Sequence, residues 1–189
     1  MPGRQTRRYY DEQALYQYAV EALGRRMRSV AELKRLMRSR VARQDGGEAL
    51  IDRVVARLKE QRYLNDASYA AAYSSFRKEN EKFGRLRVTQ DLKARGVHAE
   101  VIAAAVRAAY EGADESQLAR QFLERKRIAQ PQNQKQAARV FRTLARAGFS
   151  SAVIFGILKK WNVEDELLSA LEQERAEAES KSGTEEDNG

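Results

Sequence analysis

Apolar residues recur at i, i+3, i+4 and i+7 three times along the chain: Ile51, Val54, Val55 and Leu58; Ile102, Ala105, Val106 and Ala109; Ile154, Ile157, Leu158 and Trp161. That spacing puts each quartet on one stripe of an amphipathic helix. The second and third quartets follow their predecessors by 51 and 52 residues at all four positions. The segment ahead of the stripe recurs too, since Leu92, Gly96 and Val97 return 52 residues later as Leu144, Gly148 and Phe149. A period of this length marks a small helical unit copied in tandem. Each copy is too small to bury enough surface alone, so packing on its neighbours must stabilise it.

The pattern predicts an all-α, elongated and curved array of three tandem three-helix repeats with a C-terminal capping helix. Residues 1–13 form a basic arm with Arg4, Arg7 and Arg8, and Tyr9 and Tyr10 are placed to dock on the first repeat. Repeat one spans 14–64, with Leu15, Ala19, Ala22 and Leu23 on its first helix and Leu33, Leu36 and Met37 on its second. Ser29 and Glu32 have the S-x-x-E form of a capping box at the start of that second helix. Repeat two spans 65–113, its first helix capped by Asn65 or Asp66 and carrying Tyr69, Tyr73 and Phe76. Val88 and Leu92 align with Leu33 and Met37 at an offset of 55, which places four extra residues in the first repeat near Arg40–Gly47. Gly96–Val97 and Gly148–Phe149 read as left-handed C′ glycines followed by an apolar residue, the Schellman pattern. Repeat three spans 114–162, capped by Asp114 or Ser116, with Trp161 in its core. Asn162 is placed to cap the last helix, on which Leu167, Leu168 and Leu171 cover the end of repeat three. Residues 163–189 make this capping helix and an acidic tail that is expected to be disordered from about Ala178.

Composition adds a strong charge asymmetry. The net charge is +8, but ten acidic and two basic residues from Glu164 onward carry −8, leaving +16 on residues 1–163. A basic body with an acidic tail points to a polyanionic partner. The chain has no cysteine and a single histidine, His98. That excludes disulfides and thiolate chemistry and leaves no zinc set. No Walker loop, nucleophile elbow or dinucleotide fingerprint is present, so neither catalysis nor a cofactor is expected. The longest apolar run, near Val153–Leu158, is far too short to cross a bilayer, and the N-terminus lacks the apolar region of a secretory signal.

The candidate interface residues are therefore basic. Repeat one offers Arg25, Arg26 and Arg35. Repeat two offers Arg77, Lys78, Arg85, Arg87, Lys93 and Arg95. Repeat three offers Lys135, Arg139 and Arg142, with Arg146 beyond them. Recurrence in equivalent elements would set these groups along one face, where phosphate contacts are largely sequence-independent and salt-sensitive. The competing reading pairs them with nearby acids, for example Arg95 with Asp91 at i, i+4. Tyr69, Tyr73 and Phe76 could stack on bases if exposed, but their helical spacing favours the core.

Several of these segments resemble one bacterial family. Tyr63, Leu64, Asn65, Asp66, Tyr69 and Ala70 resemble the Y-L-D-D-x-x-F-A segment of the RecX regulatory family. Arg77, Gly84 and Arg87, with Asp91, Leu92, Arg95, Gly96 and Val97, resemble its motif that ends in E-L-x-x-K-G-I. Ser29, Glu32 and Leu33 resemble its S-x-x-E-L. Asn65, Asp91 and Arg95 replace the family's usual Asp, Glu and Lys. The resemblance covers most of residues 14–162 and implies three tandem three-helix units. It implies a non-enzymatic regulator of the RecA recombinase, with roles in DNA repair, homologous recombination and the SOS response. Such regulators bind the RecA–DNA filament in its groove, lower its ATP hydrolysis and strand exchange, and block its growth; some bind DNA directly. The expected partners are thus the RecA filament and single- and double-stranded DNA, met by a monomer in the cytoplasm with no membrane involved. The alternative is a stand-alone DNA-binding protein of helix-turn-helix type.

Overall fold

Each apolar quartet falls on the third helix of a triplet, except that Trp161 lies just past the end of its helix. The computed structural model describes residues 9–42 and 44–185, with side chains through Glu177. The arm residues Arg4, Arg7 and Arg8 lie outside the described residues. Ten helices follow one another, and the described residues include no strand: α1 (Glu12–Arg25), α2 (Val30–Val41), α3 (Gly47–Glu60), α4 (Asp66–Glu81), α5 (Arg85–Ala94), α6 (Ala99–Tyr110), α7 (Glu115–Arg125), α8 (Gln134–Arg146), α9 (Ser151–Lys159) and α10 (Asp165–Glu185).

Local chemistry sets most of these boundaries. The capping box forms: Ser29 accepts from the Glu32 amide while Glu32 accepts from the Ser29 amide. Asn65, rather than Asp66, caps α4 by accepting from Ala67 and Ser68, and Asp114 caps α7. Both glycine turns close as Schellman motifs. Val97 bonds back to Leu92 with Gly96 at φ 73°, and Phe149 to Leu144 with Gly148 at φ 89°. Asn162 does not start the last helix. It takes φ 58° and ends α9, with Val163 donating back to Leu158. The last helix continues through Glu185, past the end expected near Ala178.

The chain divides into two compact units, and the division runs through the middle triplet. The described residues through Tyr73 pack with Asp91–Val106, and Ser74–Gln90 pack with the described residues from Arg107 onward. In the first unit α1, α2 and α3 pack on one another around Leu15, Ala19, Leu33, Met37, Ile51, Val54 and Leu58. Tyr10 joins this core, held at both backbone groups by the Gln44 side chain, while Tyr9 stays exposed. In the second unit α9 packs on α7 and α8, and α10 lies across α8 and α9 with Leu168 and Leu171 buried. Phe122 links Phe83 to Phe149 in its core.

Two aromatic assignments change. Trp161 is only partly buried. On α4, Tyr69 is buried but Phe76 is 54% exposed, because the inward row runs through Ala70, Ser74 and Arg77 instead. The inward row lies one residue beyond the one that the aromatic spacing predicts.

Candidate functional site

The sequence motifs meet at helix ends. The first four N–H groups and last four C=O groups of a helix lack partners inside it, so two helices set end to end can satisfy each other. In the first unit the start of α2 abuts the C-terminal turn of α5. The fully buried Ser29 hydroxyl donates to the Arg95 carbonyl at 2.6 Å. The Val30 amide donates to Asp66 at 2.8 Å, tying α4 into the same joint. A Cβ on Gly96 would stand 2.5 Å from the Ala31 Cβ, so this close approach requires glycine. The second unit repeats the device at the start of α5. Gly84 donates to the Ala147 carbonyl at 2.8 Å and Leu86 to the Gly148 carbonyl at 3.2 Å. A Cβ on Gly84 or on Gly148 would fall 2.2 Å from backbone of the other segment.

Many of the candidate basic residues serve these helix ends. Glu32 gathers two of them, Arg95 at 2.6 Å and Arg26 at 3.9 Å. The carboxylate that Arg95 meets is thus Glu32, not Asp91, which accepts from the Tyr73 hydroxyl. The Arg95 guanidinium also lies over the Tyr73 ring at 4.9 Å. Arg35 donates to the Ala94 carbonyl. In the second unit Arg77 pairs with Glu81 and covers the Phe83 ring, Lys78 donates to the Ala109 carbonyl, and Arg85 pairs with Glu115 at 2.8 Å. Arg87 is partly buried beside Gly148. Arg25 and Lys93 are exposed on the first unit. Sequence reasoning did not find Ser29 and Glu32 as tertiary contacts; their capping signal was complete without one.

Among the described residues, an accessible basic row lies on α8. Its inner face buries Ala137, Ala138, Val140, Phe141 and Leu144. Lys135, Arg139, Arg142 and Arg146, at i, i+4, i+7 and i+11, form a row of exposed cations along the helix. Arg142 also reaches Glu174 of α10 at 3.3 Å. A cationic row of this kind on a rigid helix can meet a linear polyanion.

The fold and sequence both have known relatives. A family model described as RecX, second three-helix domain, matches residues 65–106. The chain is 32% identical over 161 residues to a "Regulatory protein RecX" of Deinococcus radiodurans, covering 84% of this chain and 74% of that one. It is 32% identical over 156 residues to another of the same name from Geobacillus kaustophilus, covering 79% of this chain and 55% of that one. The crystal structure of RecX from Lactobacillus salivarius superposes with a TM-score of 0.64 at 19% identity, over 80% of this chain and 96% of that one. No helix among the described residues is long and apolar enough to cross a membrane.

Proposed function

Because this chain belongs to the RecX family of regulatory proteins, we propose that it binds the RecA recombinase on its DNA filament and restrains ATP hydrolysis, strand exchange and filament growth. The observation that carries this reading is the family likeness over four fifths of the chain. Two features support it. A row of modest, exposed basic contacts suits multipoint binding, in which summed weak contacts give avidity. Of the other candidate cations, Arg26, Arg35, Arg77, Lys78, Arg85 and Arg95 are held by carboxylates or carbonyls, while Arg25 and Lys93 stay exposed, so the α8 row offers the longest run of accessible cations among the candidates. The test is to add the protein to RecA hydrolysing ATP on single-stranded DNA. Hydrolysis should slow at substoichiometric protein; an unchanged rate at equimolar protein overturns the reading. The exposed α8 row also supports a second reading, direct DNA binding without RecA. Tight, sequence-selective duplex binding with no effect on RecA would favour that alternative.

A further inference from the structure

The α8 row ends in a cleft. Within the second unit, a cavity of about 330 Å³ opens between the start of α5, the outer edge of α8 and α10. Its base is apolar, from Phe141 and Leu171, both buried, with Leu86 at the edge 38% exposed. Its rim is cationic, from Arg87, Arg142 and Arg146. The volume lies at the small end of ligand-site cavities, about 300–1,000 Å³.

Glu174 of α10 lines the cleft as well, next to Arg175. Both its oxygens stand 3.3 Å from a single Arg142 Nη1, with the two side chains 64% and 50% exposed. A long, exposed pair of this kind is screened by water and salt and holds weakly. Leu168 and Leu171 are buried and seat α10, so Glu174 can swing away while the helix stays docked.

We propose that this cleft is a binding site for the sugar-phosphate backbone of single-stranded nucleic acid, and that Glu174 is its built-in competitor. The inference rests on the DNA contact in the reading above and gives it a place. From Lys135 through Arg139 and Arg142 to Arg146 is 11 residue steps along α8, about 16 Å at helical rise. That row meets successive phosphates of one strand and leads into the cleft at Arg146. An apolar base beneath a guanidinium rim accepts one flexible nucleotide unit, with the sugar on the apolar side and the phosphate at the arginines. Regular linear spacing favours a nucleic-acid strand over a folded acidic protein surface, and a small concave end favours an unpaired strand over a stiff duplex.

The experiment measures binding of a labelled oligothymidylate by anisotropy across a salt series, using the full chain, Glu174→Gln and Arg146→Ala. Both substitutions are at the surface, and unchanged helical circular dichroism and melting verify the fold. Glu174→Gln should tighten binding about threefold to fivefold at low salt, with the gain fading as salt screens the pair. Arg146→Ala should weaken binding by a similar factor and flatten the salt slope by about 0.7, the value for one lost phosphate contact on a single strand. If the unaltered chain binds the oligonucleotide and both variants match it within experimental error, the cleft assignment is overturned while DNA contact stands. If the unaltered chain does not bind at low salt, the DNA contact itself is wrong. Tighter binding of polyglutamate than of the oligonucleotide would reassign the cleft to an acidic peptide and overturn the proposal.

Discussion

Gly96 and Gly46 share φ 73° and belong to the same unit, yet they differ in what surrounds them. Around Gly46 an added Cβ meets nothing within 4 Å, whereas at Gly96 it would stand 2.5 Å from the Ala31 Cβ. Gly46→Ala therefore measures left-handed strain alone, about 1 kcal/mol. Gly96→Ala carries the same strain and must also push the α5 turn away from α2. That movement stretches the 2.6 Å bond from Ser29 to the Arg95 carbonyl, whose donor is fully buried. Leaving such a group unsatisfied costs about 1–3 kcal/mol. The expected total for Gly96→Ala is about 2–4 kcal/mol, against about 1 kcal/mol for Gly46→Ala. Urea unfolding with linear extrapolation resolves the difference. Adding Ala31→Gly to Gly96→Ala should recover part of the loss, giving a double-mutant coupling of about 1 kcal/mol. Losses within about 0.5 kcal/mol of each other for the two alanine variants, the scatter expected of independent sites, would refute the account of the joint.

Two further outcomes follow from backbone and burial. Arg62 holds φ 62° at the end of α3. Relieving its Cβ strain, net of the extra chain entropy of glycine, should make Arg62→Gly about 0.5–1 kcal/mol more stable, a rise of about 2 °C in melting temperature. Burial pushes the Tyr110 phenol far above the ordinary tyrosine value of 10.0, and its hydroxyl donates to the Phe83 carbonyl at 2.6 Å. Burial raises the Tyr69 phenol as well. The folded state keeps these protons, so their contribution is intact below the unfolded value and is lost as pH climbs above about 10. Absorbance titration should show two phenols ionising only as the chain unfolds in alkali, and Tyr110→Phe should remove one. Uniform, reversible titration of every tyrosine near pH 10 would contradict this.

The folding information is mostly local, which explains what could be read in advance. Within the three quartets every position is buried except Ala109 and Trp161, which are partly so, because helical period and burial share one geometry. The capping box and glycine turns were legible for the same reason, since each is complete within a few residues. The phase of α4 was not: Tyr69, Tyr73 and Phe76 match a helical stripe as well as Ala70, Ser74 and Arg77 do, and only the packed neighbour selects between them. The basic candidates were hardest. Arg95 finds Glu32 across 63 positions, and Tyr10 finds Gln44 across 34. A cation's charge is visible in the chain, but whether a distant carboxylate already holds it is not. That difference separates Arg85, paired with Glu115, from Arg139 on the exposed row of α8.

The helix joints also give the repeats a direction. A middle unit carries half a joint at each end of its second helix, a start that abuts and a glycine turn that receives. Copying the unit copies both halves, so a duplicate can dock on its parent without new chemistry. Among the described residues, one such start is finished locally instead. The start of α8 closes on itself, with Asn133 accepting from the Gln136 amide and the Gln136 side chain accepting from Gln132. Docking a further start of this kind ahead of α8 would therefore require replacing that local cap.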